Sequence, residues 1–170
     1  MTIRALCAYL LALSLSQAGP AFAQPREFQC VKAFAEMAPE YPRLVCAGND
    51  WLERGRPERA LEKYRSAAAV LFFESPNFLI YYRIAQAQAA RGDRVAARET
   101  LRQFADMLAI YGGEKRCADP VINPRAADVM CLEGFNPESY SAEAGLKLRK
   151  GVVQAYRERV SALTRTYRLP

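Results

Sequence analysis

Two stretches of this sequence carry the same pattern of small and large apolar residues at an offset of 37 residues. On either side of Gly55 and of Gly92 these residues recur at intervals of three and four, which places each group on one face of a helix. The matched pairs are Gly48 and Ala85, Trp51 and Gln88, Gly55 and Gly92, Ala60 and Ala97, Tyr64 and Leu101, and Ala67 and Phe104. Helical pairs of this kind pack on one another, so we expect an all-α fold.

The first stretch resembles the tetratricopeptide repeat, a helix-turn-helix unit of about 34 residues that ends in an alanine and an aromatic four positions apart. The residues at the family spacing are Leu44, Gly48, Trp51, Gly55, Ala60, Tyr64 and Ala67. The second stretch matches at Ala85, Gly92, Ala97 and Leu101, with Gln88 where an aromatic is usual. The longer offset implies an insertion, which we place in the segment FFESPNF. Any antiparallel helical hairpin would also suit this spacing, and generic all-α packing stays as the alternative.

The resemblance implies two repeat units over residues 42–111. Two units bury too little apolar surface alone, so we expect helices that cap both ends. Residues 24–41 carry apolar residues at helical spacing and predict an N-terminal capping helix. An apolar face within residues 139–170 predicts a C-terminal capping helix. Trp51 shares its helical face with Leu44 and Gly48, and we expect it in the core of the first unit.

The first 23 residues predict a secretory signal peptide. Arg4 precedes a mostly apolar run from Ala5 to Leu15, and Ala21-Phe22-Ala23 forms an A-x-A cleavage site. The run is interrupted short of the roughly 20 apolar residues that a membrane span needs. We therefore expect a periplasmic or secreted protein with no stable membrane insertion after cleavage.

Four cysteines follow the predicted cleavage site, at Cys30, Cys46, Cys117 and Cys131. An even number in an exported chain predicts two disulfides, although four cysteines allow three connectivities. We favour Cys30 with Cys46 and Cys117 with Cys131. Each of these bonds closes a loop of about 15 residues, for which the chain-entropy estimate is about 3 kcal/mol.

Residues 112–138 form a connection that is too long for an ordinary loop. Gly112 and Gly113 predict the end of the preceding helix. Asn123 followed by a proline predicts the start of a short helix over residues 124–131. The segment is either a functional loop or a disulfide-stapled connector.

The sequence contains no histidine. A Ser-His-Asp triad, a Cys-His dyad and a haem attachment motif all require this residue. Zinc is also disfavoured because the chain has no CxxC pair, so we expect neither a metal nor a cofactor. An enzyme that uses paired carboxylates is the remaining catalytic alternative, but no spacing in the sequence brings two of them together across a cleft. We therefore expect a non-catalytic protein.

In tetratricopeptide proteins the first helices of successive units line a concave groove. The resemblance thus implies an adaptor or scaffold that binds a peptide or a partner protein there. The candidate partner-binding residues are Asn49, Glu53, Tyr82 and Gln86. If the groove is the working surface, Asn49, Tyr82 and Gln86 should be partly exposed together. In the alternative, the last helix covers Leu52 and Tyr82.

A second candidate surface is basic. The formal net charge is +6, and the last predicted helix is rich in cations. These are Lys147, Arg149, Lys150, Arg157, Arg159, Arg165 and Arg168. Such a face could bind an anionic cell-envelope component, although charge runs are usually solvated faces. We do not expect nucleic acid as a partner of an exported protein.

Overall fold

The regular structure of this chain is helical throughout the described residues. A computed structural model describes residues 40–70, 77–131 and 143–169. The helices are α1 (Glu40–Glu53), α2 (Pro57–Ala68), α3 (Ile80–Ala90), α4 (Arg94–Tyr111), α5 (Pro124–Met130) and α6 (Glu143–Tyr167), and a 3-10 turn at Asn77–Leu79 leads into α3. The predicted all-α class is confirmed for this part of the chain.

Several sequence predictions concern residues outside these ranges. The signal peptide over residues 1–23 lies wholly outside them, and so does almost all of the N-terminal capping segment 24–41. Most of the FFESPNF segment is also outside. The pairing of Cys30 with Cys46 stays a prediction because Cys30 is not among the described residues.

Two helical hairpins, α1 with α2 and α3 with α4, are closed by turns with the same hydrogen bonds. In both turns the glycine has a positive φ, +67° at Gly55 and +89° at Gly92, which glycine adopts without a Cβ clash. The bonds run from Arg56 N to Trp51 O (2.9 Å) and Gly55 N to Leu52 O (3.0 Å), and from Asp93 N to Gln88 O (2.9 Å) and Gly92 N to Ala89 O (3.0 Å). Each donor and acceptor in the second turn lies 37 residues after its counterpart in the first.

The two hairpins pack side by side, with α3 at the centre of the molecule. Helix α3 contacts α2, α4 and α6, and eight of its eleven residues are buried. Helix α1 lies at the edge and packs mainly on α2, and only Pro42 and Gly48 of its fourteen residues are buried. The core is therefore concentrated around the second hairpin.

Helix α6 closes the core over the second hairpin. It corresponds to the C-terminal helix predicted within residues 139–170. Tyr156 of α6 meets the ring of Tyr82 on α3 and the ring of Phe104 on α4 edge to face, at centroid distances of 5.6 and 5.5 Å. Such aromatic pairs stabilise a fold beyond the area that they bury.

The connection after α4 begins where the sequence predicts and contains the predicted short helix, and its end lies outside the described residues. Helix α4 stops at Tyr111, and Gly113 has a φ of +74°. The side chain of Asn123 accepts a hydrogen bond from the backbone N–H of Arg125 at 2.9 Å and caps α5. The predicted short helix over residues 124–131 is found as α5.

A disulfide within this connection and hydrogen bonds to α4 hold it in place. A disulfide joins Cys117 to Cys131, as the loop-length argument favoured. The carboxylate of Asp106 on α4 accepts hydrogen bonds from Lys115 Nζ at 2.8 Å and from the backbone N–H of Asn123 at 3.2 Å. The connection is thus tied to α4 as well as to itself.

Candidate functional site

The first predicted groove residue, Asn49, is engaged inside the first hairpin. It is half-buried, and its Oδ1 accepts a hydrogen bond from the hydroxyl of Tyr64 at 2.7 Å. Burial raises the pKa of Tyr64 to about 12, so this hydroxyl keeps its proton at neutral pH. The ring of Tyr64 lies directly against Gly48. Asn49 therefore positions a core tyrosine.

Of the other predicted partner-binding residues, Glu53 and Gln86 are at least partly accessible to solvent. Glu53 is exposed at the end of α1. Gln86 on α3 is half-buried, and its Oε1 accepts a hydrogen bond from Arg83 Nη1 at 3.1 Å. A carboxylate accepts hydrogen bonds and an amide both accepts and donates them, so each of these side chains could contact a polypeptide.

Tyr82 does not lie on an open surface. It is 9 % exposed, because the ring of Tyr156 from α6 packs on it and Phe104 adjoins it at 6.2 Å. The expectation that Asn49, Tyr82 and Gln86 would be partly exposed together is therefore wrong for Tyr82. Helix α6 covers the predicted groove at Tyr82. The part that stays accessible is the α1 side, and Gln86 lies at its border.

Trp51 lies at the margin of the core rather than within it. The indole is half-buried, and two guanidinium groups lie over it, Arg59 at 5.0 Å and Arg54 at 5.6 Å from the ring centroid. The expectation of a core position is wrong because α1 is an edge helix. Cation–π contacts with the arginines replace part of the packing that a core position would give.

The basic residues of α6 divide into two groups. Arg157 pairs with Glu114, Arg159 lies 5.0 Å over the ring of Tyr156, and Arg149 is half-buried. The exposed members without such a contact are Lys147, Lys150, Arg165 and Arg168. The cationic face is thus smaller than the sequence suggests.

A pocket that sequence reasoning missed opens between α2 and α4. Its volume is about 470 Å³, with α3 at its base and α5 at one end. Among its lining residues are Arg65, Tyr81, Ile84, Gln88, Glu99 and Arg125. The available signal was Gln88, a polar residue at a position where the repeat family usually has an aromatic. Spacing alone could not show that this residue lies between two second helices.

The described residues were also compared with the requirements for a metal site and a membrane span. They contain no group of three or more Cys, Asp or Glu side chains placed to hold a metal ion. None of the helices over these ranges is both long enough and apolar enough to cross a bilayer.

Comparisons of the sequence with protein-family models, with curated proteins and with solved structures gave no significant match. The function is therefore argued from the contacts, burial and charges of this chain.

Proposed function

We propose that this chain is a non-catalytic, tetratricopeptide-like adaptor that binds a peptide or a partner protein. The observation that carries this proposal is the pair of matched turns. Both have a glycine with positive φ and the same two backbone hydrogen bonds, at an offset of 37 residues. This match supports two units of one helical repeat, an architecture that works by presenting an extended surface.

The partner surface in this proposal is the exposed side of α1 and the adjoining edge of α3. Glu53 and Gln86 supply its polar contacts, and Asn49 lies one turn before Glu53 on the same helix. Tyr82 is not part of it, since α6 covers that side chain. Among the described residues α1 is an edge helix with few buried side chains, so a partner could cover the apolar area that the predicted N-terminal capping segment leaves open.

Export is the second part of the proposal. The disulfide between Cys117 and Cys131 is compatible with an oxidising compartment, as expected of a periplasmic or secreted protein. An adaptor in that compartment would act on other exported or envelope-bound polypeptides.

A photo-crosslinking residue placed at position 53 tests the partner surface directly. The photo-crosslinking residue at position 53 should yield one defined crosslinked species in the exported fraction. The matched control is Glu62, which is equally charged and exposed but lies on α2. Crosslinks of equal yield from both positions, or none from position 53, would contradict the assigned surface.

A double variant, Glu53→Ala with Gln86→Ala, gives an independent test. Its stability should stay within about 0.5 kcal/mol per substitution of the parent, because neither side chain is buried. Capture of the species found by crosslinking should be lost. Asn49 is left unchanged in this variant, since its bond to Tyr64 would mix a folding effect with a binding effect.

Binding of an anionic envelope component is a second candidate function, favoured by the exposure of Lys147, Lys150, Arg165 and Arg168 on α6. Sedimentation with vesicles that contain an anionic lipid tests it. Binding should weaken as ionic strength rises, because exposed charges are screened. Binding that does not respond to salt would reject this function.

A further inference from the structure

The pocket between α2 and α4 contains a buried polar group without a hydrogen-bond partner. Gln88 is 7 % exposed, and its Oε1 has no partner among the described residues. A buried acceptor that is left unpaired is costly, so such groups are usually satisfied in folded proteins. Gln88 lines the pocket, and a rotation of its carboxamide would turn Oε1 toward a molecule bound there, which could then donate to it.

Two arginines of the pocket wall are free to bind an anion. Arg65 on α2 and Arg125 on α5 form no ion pair within the described part of the chain. The guanidinium of Arg125 lies 6.0 Å from the ring centroid of Tyr81, another residue of the wall. This contact holds a charged, planar donor group at the pocket.

The carboxylate in the pocket wall is already paired. Glu99 accepts hydrogen bonds from Arg102 Nε and Nη2, both at 2.9 Å, and from Gln103 Nε2 at 3.0 Å. These hydrogen bonds lower the pKa of Glu99 to about 2, and the bond with Arg102 is the largest cause. Its charge is thus offset by its own neighbours, and the charges left for a ligand are those of Arg65 and Arg125.

We propose that this pocket binds a small carboxylic acid that carries an N–H or O–H donor beside its carboxylate. Arg65 and Arg125 bind the carboxylate, and Gln88 Oε1 accepts the hydrogen bond from the adjacent donor. The volume of about 470 Å³ lies in the range of small-molecule sites. Ala68, Ala69 and Ala96 line it as well, and their short side chains leave room for such a molecule. This site is separate from the partner surface on α1 and does not depend on the proposed adaptor function.

Isothermal titration of the full chain tests the ligand class. N-acetyl-L-alanine has both groups and should bind with a Kd below about 1 mM. Acetate lacks the donor, and N-acetyl-L-alanine amide lacks the carboxylate. Each of these should bind at least about tenfold more weakly, the scale of one lost hydrogen bond to a charged or buried group.

Variants test the assigned roles. Gln88→Met removes the acceptor but keeps an unbranched side chain of similar size, so it should weaken N-acetyl-L-alanine about tenfold and leave acetate unchanged. Arg125→Gln should weaken both acids. The matched control is Arg98→Gln, since Arg98 is exposed on α4 and does not line the pocket, and it should change neither. The side-chain amide resonance of Gln88 in the parent chain should shift on titration, which needs no variant to fold.

Three results would overturn the proposal. These are no binding of N-acetyl-L-alanine, equal binding of all three compounds, or an unchanged affinity in Gln88→Met. A fourth titration uses N-acetyl-trialanine. If it binds at least about tenfold tighter than N-acetyl-L-alanine, the ligand is the end of a polypeptide and the small-molecule assignment is wrong.

Discussion

The two hairpins share a turn but differ in how much of their first helix they bury. In α1 two of fourteen residues are buried, whereas in α3 eight of eleven are. Helix α3 has α2, α4 and α6 around it, and α1 packs mainly on α2. The position of a helix in the stack therefore sets its burial more strongly than its own pattern of apolar residues.

The difference is sharpest at one pair of equivalent positions, Trp51 and Gln88. Their backbone carbonyls accept equivalent bonds in the two turns. The large apolar indole is half-buried under two arginines, and the polar side chain of Gln88 is 7 % exposed in the wall of the pocket. Burial preferences alone would reverse this arrangement. A polar side chain that is kept where an apolar one would fit better is a reason to look for a ligand at Gln88.

The largest effect that separates the hairpins should come from Tyr156. Tyr156→Ala removes the ring that covers Tyr82 and Phe104, and we expect a loss of about 3–5 kcal/mol in the free energy of unfolding. Urea denaturation followed by far-ultraviolet circular dichroism measures it. Ser161→Ala is the matched control on the same helix, since Ser161 is exposed, and it should stay within about 0.5 kcal/mol.

A loss below about 1 kcal/mol in Tyr156→Ala would contradict the difference in burial between the two hairpins, because it would mean that α6 does not seal the second hairpin. Tyr82 would then be available to a partner, and the groove would extend over both hairpins.

The next effect is an alkaline loss of stability that belongs to the first hairpin. Burial raises the pKa of Tyr64 from 10.0 to about 12 in the folded chain. The stabilisation is complete below the unfolded pKa and is lost as pH rises from about 10 to about 12, since only the unfolded chain then releases the proton. For a shift of this size the loss is about 2–3 kcal/mol. Leu101 stands at the equivalent position of the second hairpin, where burial instead raises the pKa of Tyr111, at the end of α4.

Tyr64→Phe provides the measurement. At pH 7 it should cost about 1 kcal/mol, because the bond to Asn49 is lost. Between pH 10 and 12 its free energy of unfolding should fall less steeply than that of the parent chain. Both proteins keep part of the fall in stability between pH 10 and 12, because both contain Tyr41. Burial also raises the pKa of Tyr41 to about 12. Parallel curves over the whole range would show that Tyr64 is not the titrating group.

The sequence predicts the local structure of this chain better than its tertiary contacts. Gly112 and Gly113 predict the end of α4, and Gly113 has the positive φ that favours glycine. The loop-length argument selected Cys117 with Cys131 correctly.

The coverage of Tyr82 by α6 is one of the two alternatives that the sequence left open. Its spacing to Gln86 is the same whether that face of α3 is open or packed, and only the path of a distant segment decides between the two. The pocket at Gln88 was missed for the same reason, since its walls come from four helices.

The smallest predicted difference concerns how each hairpin accommodates one methyl group. A Cβ added at Gly48 would lie 2.3 Å from Cε1 of Tyr64 and 2.6 Å from Cδ1, so the ring would have to move. The bond from its hydroxyl to Asn49 opposes that movement. At the equivalent position Ala85 is fully buried, and Leu101 stands where the first hairpin has the tyrosine.

Reciprocal substitutions measure this difference. Gly48→Ala should destabilise the chain by about 1–3 kcal/mol, because the added methyl group overpacks the contact with Tyr64. This cost should outweigh the helix propensity of alanine, which favours it over glycine by about 1 kcal/mol. Ala85→Gly should also destabilise, by about 1 kcal/mol, since it loses both propensity and a buried methyl group. Gly48→Ala combined with Tyr64→Leu reproduces the pair found in the second hairpin and should recover part of the loss caused by Gly48→Ala alone. If Gly48→Ala stabilises the chain instead, the close approach of α1 and α2 is wrong, and with it the packing argument that relates the two hairpins.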